Sequence, residues 1–333
     1  MCSIFFSKIG RLLICLLLIN SASAQKQSVP KPVFDDPIYH GAADPVIVFN
    51  KEKKAWWMFY TNRRATTEDS TVSWVHGSLI GIAESKDGVH WKYKDTANIN
   101  YRPDNGYTFW APEIIANKGI YHMYLSYIPG TYTHWNHPAY IIHLTSKNLL
   151  NWQYQSTLPL SSNKVIDPNV LQLPDGTWRM WYNNGAVGKT MYYADSKDLY
   201  TWQDKGKDKT IGRGEGPKVF KWKQQYFMIV DCWKGMDVYA SDDLNTWKKQ
   251  PERILELPGI GNDDQAMGGH CDVVINDNRA FVYYFTHPGR RKDAPAPKNS
   301  FNDKRSVIQV AELHLNNGVI TCNRDEAIDF KLK

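Results

Sequence analysis

Cysteine is scarce in this chain of 333 residues. Of the five present, Cys2 and Cys15 fall in an N-terminal leader, and Cys232, Cys271 and Cys322 allow at most one bridge. A disulfide scaffold is thereby excluded, and the three thiols are expected buried and unpaired. Neither Cys-x-x-Cys nor His-Glu-x-x-His occurs, which removes the usual zinc and thiol-redox signatures. Charge of one sign is not concentrated either. Lys+Arg 40 against Asp+Glu 34 gives +6, but the basic residues are dispersed among apolar runs, so nucleic acid is not an expected partner. The basic, proline-rich stretch at 290–298 reads as a solvated loop. The run Gly212-Arg213-Gly214-Glu215-Gly216 lacks the strand and helix context of a phosphate loop. Beyond the leader no apolar run approaches the ~20 residues of a membrane span, so no membrane partner is expected.

The leader has the grammar of an export signal. Lys8 and Arg11 precede an apolar run at 12–19, and Ala22-Ser23-Ala24 offers a small-residue cleavage site before Gln25. Ile14 before Cys15 is too bulky for lipoprotein processing. Residues 1–24 are therefore expected to be a signal peptide, 25–333 a single domain, and the product secreted or periplasmic.

What is abundant is aromatic: 13 Trp and 19 Tyr, side chains that sugar-binding clefts use as stacking platforms. Some of the tryptophans repeat. Ser and Trp stand at one fixed spacing in four segments, Ser85/Trp91, Ser146/Trp152, Ser196/Trp202 and Ser241/Trp247. They recur near the ~40–50-residue period of a four-stranded propeller blade. Each unit opens on a proline and a short apolar strand, at Asp44-Pro45, Ala111-Pro112, Asp167-Pro168 and Gly216-Pro217. An aromatic strand follows, such as Trp56-Trp57-Met58-Phe59-Tyr60, then a third strand that leads into the Ser-to-Trp ending. A fifth unit opening at Gly269-His270 keeps the strand order without the terminal Trp. The expected architecture is all-β, a five-bladed β-propeller occupying the whole chain after the leader.

In a propeller the first strand of every blade lines the central channel, so equivalent repeat positions converge. Asp44 and Asp167 each precede a proline, where the backbone is expected to be extended, and Glu215 lies one residue further back. Three carboxyls are thus aimed at one axial pocket. Like charges in a confined site resist joint ionisation, which makes one of them a proton donor, and a paired acid and base is what glycosidic cleavage requires. The glycines flanking Glu215 are expected to let a ligand approach closely.

Ala43-Asp44-Pro45, Trp110-Ala111-Pro112-Glu113, Ile166-Asp167-Pro168, Glu215-Gly216-Pro217, Gly269-His270 and the strand from Arg305 to Glu312 together resemble glycoside hydrolase family 43. That family consists of five-bladed propellers acting mostly on arabinosides and xylosides. The resemblance implies that Asp44 is a general base activating water and Glu215 the general acid. Asp167 would orient the acid and tune its pKa, and the anomeric centre would invert, with acid and base ~6.5–9.5 Å apart. It further implies a sugar contact for Arg305, and for His270 the holding of channel water or of a structural calcium ion through water. The alternatives are a surface salt bridge and a core histidine. No cofactor is required for catalysis and no metal ligand set is assigned. Glu113 departs from the family's usual Asp, which puts the pocket floor in doubt. Trp110 and Trp233, with Trp74 and Trp135, lie in or beside loops as sugar platforms or as packing. An insertion at 63–76, placed between the first and second strands, and the loop at 132–137 look particular to this chain. The expected partner is a carbohydrate. Rival readings are a related propeller glycosidase of the family 117 or 130 kind, acting on a galactoside, anhydrogalactoside or mannoside, and a non-catalytic carbohydrate-binding propeller.

Overall fold

The computed structural model describes Met1 and residues 29–104 and 106–333, so the expected leader, Met1 apart, lies outside the described residues. Blade one contains β1 (Ala42–Asn50), β2 (Ala55–Asn62), β3 (Leu79–Ser85) and β4 (Lys92–Thr96). A short β5 (Asn98–Asn100) precedes blade two, which is β6 (Thr108–Asn117), β7 (Ile120–Ile128), β8 (Tyr140–Ser146) and β9 (Asn151–Thr157). Blade three is β10 (Val165–Gln172), β11 (Trp178–Asn184), β12 (Thr190–Ser196) and β13 (Trp202–Lys207). Blade four is β14 (Glu215–Trp222), β15 (Gln225–Asp231), β16 (Met236–Ser241) and β17 (Lys248–Lys249). Blade five is β18 (Gly268–Asn276), β19 (Arg279–Thr286), β20 (Val307–Asn316) and β21 (Val319–Cys322). Among the described residues these strands form five antiparallel sheets in sequence order, and β5 adds to blade two in parallel with β9. The chain is a five-bladed β-propeller.

Burial explains the composition. The second strands lie between blades and are covered on both faces, so β2 reads Ala-Trp-Trp-Met-Phe-Tyr-Thr-Asn with little polar alternation. The fourth strands form the outer rim, and β9 and β13 alternate buried and exposed residues.

The repeated ending is a turn that locks neighbouring blades. The Ser hydroxyl accepts the backbone N–H three residues on, at Gly88, Leu149, Leu199 and Leu244, and each of those four residues has a positive φ. The Trp then packs edge-on against the second-strand aromatic of the preceding blade: Trp91 on Tyr283, Trp152 on Phe59, Trp202 on Tyr124 and Trp247 on Trp181. Ring centroids are 5.3–6.1 Å apart and the planes 83–89° inclined. Each such pair contributes about 0.5–1.5 kcal/mol beyond its buried area. Blade five needs no such turn, because β20 and β21 are joined by Asn317-Gly318, both at positive φ, the two-residue hairpin such a dipeptide favours.

The ring closes between blades five and one. Met58, Tyr60 and Trp91 share a core with Phe281, Tyr283 and Ile308. The N-terminal approach adds a bridge from Phe34 to Ile308, and the C-terminal segment stacks Phe330 on Phe281 and anchors Leu332 N–H on the Asp87 carbonyl.

Two expectations are corrected. The segment 63–76 connects β2 to β3, not the first strand to the second. The residue before each blade-opening proline is not extended: Asp44, Ala111, Asp167 and Gly216 have φ of 52°, 42°, 56° and 56°. Each sits in a β-bulge where the ladder slips, and the bulge outweighs the pre-proline preference for extended backbone. The bulge also starts each strand two to four residues ahead of its proline.

Candidate active site

The bulges re-aim the first-strand side chains. Blade by blade, the bulge N–H is tied to a polar residue at the end of the previous blade's second strand. Ala111 N–H donates to Thr61 Oγ1 at 2.8 Å, Asp167 N–H to Ser126 Oγ at 2.8 Å and His270 N–H to Asp231 Oδ2 at 2.9 Å. Between blades three and four Asn183 Nδ2 donates to the Gly214 carbonyl instead, and Gly216 N–H donates to Asp167 Oδ2 at 3.1 Å.

Asp44, Asp167 and Glu215 meet around this tier. Asp44 accepts two bonds from Arg63 Nη2, at 3.0 and 3.2 Å, and Arg63 is itself braced over the Phe285 ring. Glu215 accepts from Trp233 Nε1 at 2.9 Å and from Lys189 Nζ at 2.8 Å. Asp167 is held well above the ordinary carboxyl range, first by burial and then by the charges of Glu215 and Asp44. A fourth carboxyl belongs to the group. Asp231 pairs with Glu215 across β14 and β15 and accepts the Trp233 N–H at 2.8 Å. Burial and the Glu215 charge push it up to about 7.

His270 opens blade five with its Nδ1 3.6 Å from Asp44 Oδ1, and burial lowers its pKa despite that carboxyl. Its ring fills the space beside Gly216, where a Cβ would stand 2.5 Å from the imidazole Cγ. Gly216 is therefore needed for His270 as well as for its own positive φ. Among the described residues no group of three or more His, Cys, Asp or Glu is arranged to hold a metal. No catalytic step is routed through an ion at His270.

Two residues further along each first strand lies a second tier, which accounts for Glu113. Its Oε1 accepts from Asn169 Nδ2 at 2.8 Å and its Oε2 from Lys218 Nζ at 3.3 Å, while Lys218 reaches Asp272 Oδ1 at 2.8 Å. Val170, Val219 and Ile47 N–H groups bond to Glu113, Asn169 and Asp272, so the tier stitches all five blades together. Burial, ahead of the opposing Lys218 charge, lifts Glu113 to about 7. Glu113 is thus occupied in a buried ionic ring, and its extra methylene spans to blade four.

The remaining predicted residues separate. Trp233 supports Glu215. Its ring lies 4.8 Å from Lys189 Nζ and 5.9 Å from the Arg213 guanidinium. Trp110, next to the blade-two bulge, donates from Nε1 to the Val75 carbonyl at 2.7 Å and borders Trp135, which is 63% exposed. Trp74 is buried beside His287. Arg305 is held by Asp35 at 2.9 Å and Asp263 at 2.6 Å. Cys232, Cys271 and Cys322 are free, with Cys271 buried.

Sequence reasoning missed Arg63, Lys189, Asp231, Lys218 and Asp272. The usable signal was the polar residue closing each aromatic strand, Thr61, Ser126, Asn183 and Asp231.

Acidic side chains gathered on the first strands of a propeller are the kind of neighbouring carboxyls that glycosidic cleavage uses. A family model described as a probable glycosyl hydrolase domain, related to glycosyl hydrolase family 43, matches residues 31–259, more than half of the chain, and the chain belongs to that family. Invertase 1 of Saccharomyces cerevisiae is 26% identical over 159 residues, 40% of this chain and 30% of the invertase. The chain spans about a third of the length of the curated relatives it matches. A thermostable family-43 glycoside hydrolase superposes with a TM-score of 0.64 at 19% identity, covering 90% of this chain and 100% of that one. A family-43 β-1,3-galactosidase with galactodeoxynojirimycin gives 0.63 at 15%, covering 87% and 96%. At these identities the likeness concerns the fold.

Proposed function

We propose that this chain is an inverting glycoside hydrolase that releases a pentose, an α-L-arabinofuranosyl or β-xylosyl unit, from a plant or algal oligosaccharide or polysaccharide, in the secreted or periplasmic space. The observation that carries it is the convergence of Asp44, Asp167 and Glu215 from three blades on one mouth, each delivered by a bulged first strand. The ion pair with Arg63 requires the carboxylate form of Asp44, the form that accepts a proton from the attacking water. Asp167, buried between two other carboxyls, has its hold on a proton raised by burial and by those neighbouring charges. Its bond from Gly216 N–H fixes the peptide next to Glu215.

Glu215 rests against Lys189 as a carboxylate. A sugar entering over Trp233 displaces the lysine, and Glu215 then takes a proton from solvent water and delivers it to the leaving oxygen, while the water activated at Asp44 gives its proton to that carboxylate. The other Glu215 bond, from Trp233 Nε1, holds the carboxyl in place meanwhile.

The experiment is hydrolysis of a panel of aryl glycosides and pentose-containing polysaccharides, with Glu215→Gln and Asp44→Asn as controls. Each substitution is expected to lower turnover by about two orders of magnitude or more. Near-normal turnover in either removes that residue's role. Nuclear magnetic resonance of the first product, showing a retained anomer, rejects inversion.

A further inference from the structure

The β2–β3 connection and the β7–β8 connection meet beside Trp110, and two histidines face each other there. His76 Nε2 lies 3.1 Å from His137 Nε2. The other ring nitrogens are turned to carbonyls, His76 Nδ1 3.2 Å from Val72 O and His137 Nδ1 3.0 Å from Pro138 O.

Proton counting makes this arrangement informative. With each Nδ1 carrying a hydrogen for its carbonyl, two neutral imidazoles have none left for the Nε2 contact. Two lone pairs then converge on one side of the 3.1 Å gap, the rings being inclined by 84°, and an electron-accepting species fits there. An Nδ1–H donated to a backbone carbonyl is also how ligating histidines are oriented towards a metal. Two nitrogens on one tetrahedral ion, with bonds of 2.0–2.1 Å, stand about 3.3 Å apart, close to the spacing here.

The surroundings suit a cation. Both rings are buried, and His76 has Trp110 at 5.2 Å, Tyr132 at 5.8 Å and Trp135 at 6.4 Å between ring centroids, aromatic faces that attract positive charge. The opposing groups are Arg64, which bonds the carbonyls of His76 and Ser73, with His134 and Lys164 facing His137.

We propose that His76 and His137 form a two-imidazole site for a borderline divalent transition metal, Zn²⁺, Ni²⁺ or Cu²⁺, completed by solvent and tying the two connections together at the rim of the mouth. Imidazole nitrogen is the ligand type these ions share. The site uses none of the residues placed in hydrolysis, so it stands or falls apart from that reading.

The test is titration of chelator-stripped protein with each of the three ions, followed by calorimetry and by tryptophan fluorescence, since Trp110 and Trp135 flank the pair. One equivalent is expected to bind at micromolar concentration or tighter, with Cu²⁺ quenching the emission. His76→Gln and His137→Gln, each checked for native circular dichroism, are expected to weaken binding at least tenfold. His137 sits in a connecting loop, so its variant keeps the test open if the buried His76 variant does not fold. Millimolar binding in the wild type, or unchanged binding in the folded variants, overturns the proposal and leaves a shared proton between the rings.

Discussion

Replacing Lys218 by Met removes the cation from the second tier and leaves two carboxyls facing each other in the channel. Their side chains are 6% and 4% exposed at Glu113 and Asp272, and that of Lys218 is 14% exposed, so water offers little relief. Breaking a buried ion pair by deleting one partner costs about 3–5 kcal/mol. At about 2–4 °C per kcal/mol for a domain of this size class, the melting temperature is expected to fall by roughly 10 °C. The pH dependence is specific. Glu113 sits at about 7 in the folded chain against an ordinary 4.5, so the folded state holds its proton more tightly than the unfolded state does. Stability is therefore lost as pH rises from 4.5 through 7. Without Lys218 the carboxyl rises further. At pH 5.5 the variant neutralises Glu113, while at pH 8.5 more of Glu113 is charged with no cation beside it. Thermal melts by circular dichroism at the two pH values should give the larger deficit at pH 8.5. Adding Glu113→Gln and Asp272→Asn to Lys218→Met should recover part of it. Equal melting of variant and wild type at pH 8.5, or a larger deficit at pH 5.5, refutes the reasoning.

Lys189→Met removes the ion pair 2.8 Å from Glu215 Oε2, so an entering sugar no longer has to break it. KM is expected to fall about two- to fivefold, the ~0.5–1 kcal/mol of a partly exposed pair, and an unchanged KM removes the displacement of Lys189 from the mechanism. Gly216→Ala drives a Cβ to 2.5 Å from the His270 ring at a φ of +56°, and strain of about 1–3 kcal/mol from the backbone alone should lower the melting point by several degrees. An unchanged melt would mean that His270 moves freely.

The blade count, the strand order and the three converging carboxyls were legible because a propeller converts repetition in sequence into equivalence in space. The fixed Ser-to-Trp spacing could be read without knowing what the turn does. Its physical role, a hydroxyl-capped turn that presents an indole to the preceding blade, appears only when Trp202 meets Tyr124 and Trp247 meets Trp181. The partners of the site were not legible for a related reason. Lys189 and Arg63 reach it from connections after second strands, which vary from blade to blade and carry no repeat.

The bulges show why a local rule failed where the repeat succeeded. A residue before proline prefers extended backbone, and by that rule Asp44 and Asp167 would continue a regular strand, whose side chains alternate faces. The chain accepts positive φ at Ala111 and Asp167 because the displaced N–H of each gains a bond to a hydroxyl of the previous blade. The cost falls at the channel mouth, where strain buys direction. Blade four moves its carboxyl one place back to Glu215 and gives the strained place to glycine, which bears a positive φ freely and leaves room for His270. The offset that looked irregular in sequence is what lets blade four present an acid and blade five a histidine at the same level of one channel.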